Sequence, residues 1–79
     1  MLHASQIRAA RALLGWYQEE LAQRSNVGLA TIQRLERGPP GPIKARLATA
    51  MKISECLKAA GVTFIERDAA GGVGVRLKA

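Results

Sequence analysis

The chain has 79 residues and carries 12 lysines and arginines against 6 aspartates and glutamates, a formal net charge of +6. That length allows one domain with a modest core and leaves little structure to spare for an enclosed catalytic cleft. A hydrophobic content of 48% with 23% charged residues fits a folded domain rather than a disordered tail, and no apolar run approaches the roughly 18 residues of a membrane span.

In chain order, Ile7, Ala10 and Leu14, with Leu13 alongside, share a helical face, which predicts a first helix from about Ala4 to Leu14 stopped by Gly15. A second helix is expected from Gln18 to about Ser25, with Leu21 and Ala22 facing inward. Ser25-Asn26-Val27-Gly28 reads as a tight connector. A third helix follows from Leu29 to Arg37, with Ile32 and Leu35 buried and Gly38 as its C-terminal cap. Gly38-Pro39-Pro40-Gly41-Pro42 is too short for an interdomain linker and reads as a stiff loop. Beyond it the helical period from Ile43 to Gly61 predicts one long helix from about Ile43 to Ala60. A break near Lys52, with Ser54 capping a fifth helix, is the alternative. Past Gly61 the period becomes that of strands. Val62–Glu66 and Val73–Leu77 form a predicted hairpin joined by Arg67-Asp68-Ala69-Ala70-Gly71-Gly72. The expected fold is mainly α, four or five helices with a C-terminal β-hairpin: residues 1–61 as the helical part, and residues 62–79 as an appended element of the same domain.

The segment Gln18–Gly38 carries the functional signal. Two helices joined by a short turn cross closely, so a small residue is needed at the crossing, and Ala22 supplies it. The turn needs a residue that tolerates positive φ, and Asn26 is the commonest choice after glycine. Val27, Ile32 and Leu35 then seal the pair, leaving Leu29, Ala30, Gln33 and Arg34 on the outward face of the third helix. Charge agrees: from Arg8 to Arg46 seven basic residues face three acidic ones, while from Lys52 onward five face three. The basic excess points to a polyanionic partner, nucleic acid or an anionic membrane.

These residues resemble the helix-turn-helix of the phage-repressor (Cro/C1-type, xenobiotic-response-element) family, which reads Gln-x-x-Leu-Ala, a turn, then Thr-Ile-x-x-x-Glu-x-Gly. Gln18, Leu21, Ala22, Thr31, Ile32, Glu36 and Gly38 meet that pattern, and Arg11–Trp16 resembles the end of the family's first helix. The likeness runs from about Ser5 to Met51; the tail from Ala60 to Leu77 resembles that of a subgroup of short proteobacterial regulators. The resemblance implies that the third helix enters the major groove while the second abuts the phosphate backbone. Gln33, suited to adenine, and Arg34, suited to guanine, would then read base edges, with Leu29 and Ala30 against thymine methyls. Gln18, Thr31, Arg37 and Lys44 would hold phosphates, with Arg46 a further candidate. Two positions depart from the family: the third helix opens on the apolar Leu29-Ala30, and Tyr17 replaces the usual Ser or Thr cap of the second, forfeiting about 1 kcal/mol. Leu29 also suits a hydrophobic staple or a dimer contact.

Arg11 shares a face with Ile7 and Leu14, and Glu36 with Ile32, so each charge is turned toward apolar side chains, where an unpaired ion is costly. An ion pair between them is expected, as the resemblance also implies. Val62 and Phe64 on one strand, and Val73, Val75 and Leu77 on the other, form an apolar face expected to make a homodimer. Trp16 reads as core, Cys56 as structural, and His3 as a frayed residue at a cap. Gly71-Gly72-Val73-Gly74 lacks the strand-then-helix context and the Lys-Ser/Thr pair of a phosphate loop. One cysteine and one histidine give neither a disulfide nor a zinc site, no nucleophile–base pair or carboxylate dyad is visible, and neither cofactor nor catalysis is expected. Met1-Leu2-His3-Ala4 lacks the features of a signal peptide, so a cytoplasmic location is expected. The functional expectation is a transcriptional regulator that binds a two-fold operator in double-stranded DNA as a homodimer, by occlusion or through contact with RNA polymerase or another regulatory protein. The alternative is an antitoxin or anti-activator acting through protein contact.

Overall fold

A computed structural model describes residues 1–78; the last residue of the expected hairpin segment, Ala79, lies outside the described residues. Four helices and two strands follow one another: α1 (Ala4–Leu14), α2 (Gln18–Ser25), α3 (Leu29–Glu36), α4 (Leu47–Ala59), β1 (Val62–Ile65) and β2 (Gly74–Leu77). Helix α1 ends at Gly15, whose φ of 70° places it in the left-handed region. Helix α2 starts at Tyr17 without a side-chain cap and ends at Asn26, the one non-glycine residue with positive φ among the described residues, at 58°. Asn26 turns the chain sharply enough for the Val27 N–H to reach back to the Ala22 carbonyl at 3.1 Å. Ala22 itself is buried between the helices it joins.

One core serves the whole chain. Ile7 and Ala10 from α1, Leu21 from α2, Ile32 and Leu35 from α3, and Ile53 and Leu57 from α4 meet in it, and Val62 of the hairpin joins them. Helix α2 lies between α3 and α4, while β2 covers α1 and β1 covers α4. The strands pair antiparallel, with Val62 opposite Leu77 and Phe64 opposite Val75, so those four side chains share a face. That face is turned onto the helices. Among the described residues, no helix is long and apolar enough to cross a membrane.

Four expectations change. The long helix does not begin at Ile43; residues 43–46 lie outside any helix, with Arg46 extended, their exposure alternates with a period of two, and α4 runs unbroken from Leu47 to Ala59. The Ile43 N–H donates to the Leu2 carbonyl at 2.8 Å, and His3 bridges Pro42, so the N-terminal segment holds this strap out of the helix. The spacing of four from Ile43 to Leu47 belongs to both periods, and here the period of two prevails. Helix α3 stops at Glu36, and Gly38 is not a left-handed cap: the cap is Arg37, at φ −84°. Gly38 sits close to the helix end instead: a Cβ there would lie 3.2 Å from the Leu35 carbonyl oxygen, a tight contact that the backbone would have to ease. His3 caps α1 but is tied down, its N–H donating to Gln6 Oε1 at 2.9 Å. The hairpin's apolar face, expected to be free for a partner, is largely occupied: Val62 is 1% exposed, and Phe64 and Val75 are half-buried against the core. Leu77 stays exposed at the rim.

Candidate nucleic-acid interface

The geometry of the helix-turn-helix rests on Glu36, at the buried C-terminal end of α3. Its two carboxylate oxygens accept from Arg11 Nη2 and Nε, each at 2.7 Å, so the guanidinium of α1 grips it in a fork. Gln18 Nε2, at the start of α2, reaches the same carboxylate at 3.3 Å. Arg8 donates to the Glu36 backbone carbonyl, and Arg11 Nη1 donates to the Trp16 carbonyl at 3.0 Å. One residue thus fixes α3 against both preceding helices. The carboxylate hydrogen bond holds the Arg11 guanidinium above its ordinary pKa, against the opposing effect of burial.

This network divides the seven basic residues from Arg8 to Arg46 into two groups. Arg8 and Arg11 are committed to Glu36, and Arg24 pairs with Glu20 at 2.9 Å while lying 4.8 Å over the Trp16 ring. Arg34, Arg37, Lys44 and Arg46 are exposed and have no hydrogen-bond or ion-pair partner among the described residues. Of the acidic residues in the same half of the chain, Glu36 is neutralised in the interior and Glu20 is paired, which leaves Glu19 unpaired on the surface. Uncompensated cations therefore lie on and just after α3 and on the segment leading to α4, besides Lys52, Lys58, Arg67, Arg76 and Lys78 of α4 and the hairpin, which are also exposed without an ion-pair partner among the described residues.

The expected contact residues divide similarly. Ala30 and Arg34 are exposed on α3, Gln33 and Thr31 are half-buried, and Leu29 is half-buried against the core. Gln18 spends its side-chain donor on Glu36; its own N–H, in the first turn of α2, precedes the first intrahelical donors, Glu20 and Leu21, which bond to the Tyr17 carbonyl. Tyr17 stands 80% exposed at this end of the helix. Gln6 was missed by inspection of the apolar pattern. It is 2% exposed, and its Nε2 donates to the Gly74 carbonyl at 3.0 Å and the Ile65 carbonyl at 3.4 Å, joining α1 to the hairpin. The capping spacing His3-x-x-Gln6 was its sequence signal.

None of the curated proteins matches the chain. A family model described as helix-turn-helix matches residues 7–64, which takes in most of α1, all of α2 to α4 and most of β1. With the Gln18–Gly38 pattern and the helix pair it forms, this establishes that the chain belongs to the phage-repressor-type (Cro/C1) helix-turn-helix family, a family of DNA-binding transcription regulators.

Proposed function

We propose that the protein binds a specific two-fold operator in double-stranded DNA as a homodimer, with α3 lying in the major groove. The observation that carries this reading is the division of the cations around the helix pair: Arg8, Arg11 and Arg24 are spent on Glu36, Glu20 and Trp16, whereas Arg34 on α3 and Arg37, Lys44 and Arg46 after it have no partner among the described residues. A face of free Arg and Lys on a helix-turn-helix suits a polyanion, because phosphate neutralisation with release of counterions supplies much of the affinity. In this reading Arg34 takes guanine and Gln33 adenine, with Ala30 against a thymine methyl and Leu29 contributing only the edge that the core leaves free. Arg37 and Lys44, with Thr31 and the Gln18 N–H, hold phosphates on either side. The same chain without a partner on its DNA would have nothing to make its binding two-fold, so dimerisation belongs to the function. The alternative of an anti-activator would use the apolar opening of α3, where Ala30 is exposed and Leu29 is half-buried against the core.

The test is selection from a random duplex pool followed by salt-titrated anisotropy on the selected site. Arg34→Ala should relax preference at one base pair, costing about 1–3 kcal/mol there. Arg37→Ala should weaken binding to every sequence and flatten the salt dependence by about one phosphate contact. Failure to enrich any sequence, or wild-type affinity and specificity in both variants, would refute the reading.

A further inference from the structure

Apart from the DNA face, one surface of the molecule is unspent. An open groove of about 420 Å³ beside α4 is lined by Leu47, Ala50 and Met51 of the helix together with Leu2, Ile43 and Phe64. Leu47 is 75% exposed and Met51 51%, and Met1, also in the lining, is 79% exposed. Helix α4 is apolar on two sides, because Ile53 and Leu57 already face the core while Leu47 and Met51 face water. Lys52 and Glu55 mark the side of α4 that stays in water, so the Leu47–Met51 side is an exposed apolar patch of the kind that marks an interaction site.

We infer that this groove receives a second copy of the chain and forms the two-fold interface, with the hairpin face directed to the chain's own core. The inference rests on the dimeric reading given above. Three features favour a second copy as the occupant. The first is the extended strap before α4: Ile43, Ala45 and Leu47 line the groove, while the alternate residues Lys44 and Arg46 are exposed and outside its lining. The groove and two of the free cations are opposite sides of one short segment, so two copies joined here place both pairs of cations beside the dyad. The second is charge. Two chains of net charge +6 repel through most of their surfaces. The groove lining, however, carries both signs: Lys58, and Glu66, which lies 3.6 Å from the Met1 ammonium in an exposed pair and which a two-fold axis can present to the partner's Lys58 instead. The third is distance. Helix α2 separates α3 from α4, so five interaxial steps of about 8–10 Å, from α3 through both α4 helices to the other α3, span at most about 40–50 Å. A bent path of that length meets the spacing of about 34 Å between successive major grooves.

The experiment uses the full chain and measures mass by light scattering across a concentration series, with binding to a half-site and to the whole selected operator alongside. Leu47→Asp and Met51→Asp alter exposed side chains, and circular dichroism checks that each variant folds. Each should raise the dimer dissociation constant by at least about tenfold, abolish the advantage of the whole operator, and leave half-site binding unchanged. Leu77→Lys, on the exposed rim of the hairpin, should leave the dimer as in the wild type. A dimer unaffected by Leu47→Asp and Met51→Asp would overturn the inference, as would a monomer produced by Leu77→Lys. A wild-type chain that is monomeric at every concentration and binds its site as one copy would also overturn it, leaving the groove to another protein or a small ligand. Groove variants that become monomeric in a chain that binds no DNA would uphold the interface and refute the operator reading instead.

Discussion

Replacing Arg11 by methionine should cost far more than replacing its partner Glu36 by glutamine, although both changes break the same ion pair. The Glu36 side chain is 3% exposed, whereas that of Arg11 is 19% exposed. Without Arg11, the carboxylate stays in the interior with one remaining donor, Gln18 Nε2 at 3.3 Å. An uncompensated buried charge of this kind costs about 3–5 kcal/mol, against a total stability of about 4–12 kcal/mol for a chain of this length. Without the Glu36 charge, Arg11 keeps its bond to the Trp16 carbonyl at 3.0 Å and reaches solvent, while the glutamine amide still offers an acceptor. The loss there should be about 1–2 kcal/mol. Urea unfolding at one fixed protein concentration, followed by Trp16 fluorescence and far-UV circular dichroism, measures both. The double variant with methionine at both positions should recover part of what Arg11→Met loses, since no charge is then left inside. Equal losses in the two single variants, or a larger loss from Glu36→Gln, would refute the assignment of Glu36 as the buried member.

Three further outcomes follow from the fold. Asn26→Gly should leave stability almost unchanged, whereas Asn26→Val should lose about 1–2 kcal/mol in the same unfolding assay, because the φ of 58° is in the left-handed region. A chain ending at Gly61 should unfold rather than survive as a folded monomer: it lacks Val62, 1% exposed in the core, and the two carbonyls that Gln6 bonds, a change that circular dichroism would reveal. Burial holds the Cys56 thiol above its ordinary pKa, with Arg24 pulling the other way. The folded chain therefore keeps that proton more tightly, so the associated stability is complete below the unfolded thiol's titration and fades as pH rises through the folded one's. Iodoacetamide should accordingly modify Cys56 more slowly in the native protein than in urea at the same pH.

The helical half of the fold was legible because its punctuation is chemical. Gly15 and Asn26 are the residues that left-handed positions demand, and both occupy them. The apolar residues of α1, α2 and α3 recur at a spacing that no strand would need. The extended strap before α4 was not legible, because Ile43 and Leu47 fit both periods and the deciding bond comes from Leu2, about forty residues earlier in the chain. Gly38 follows α3 as a left-handed cap would but has an ordinary φ: a sequence does not distinguish a glycine favoured by φ from one that eases a close carbonyl. The destination of the hairpin's apolar face was hidden in the same way. Alternation in Val62–Phe64 and Val75–Leu77 shows that one side is to be covered, and says nothing of whether the cover is the chain's own helices or another copy.

The functional face shows a similar division between pattern and placement. The residues of α3 that point outward follow from Ile32, Leu35 and Glu36 pointing inward, and that much is periodicity. Net charge, however, counts Arg8, Arg11 and Arg24 equally with Arg34 and Arg37, although the first three are held by a carbonyl, a carboxylate and an indole. Burying Glu36 under Arg11 stiffens the crossing of α1, α2 and α3 and also removes an anion from the end of the helix that would meet phosphate. A solvent-exposed carboxylate at that position would repel DNA; a buried, paired one does not. In the proposed reading, the ion pair that orders the helices also keeps the Glu36 charge away from the DNA. A substitution that frees Glu36 should therefore weaken DNA binding even where the fold survives.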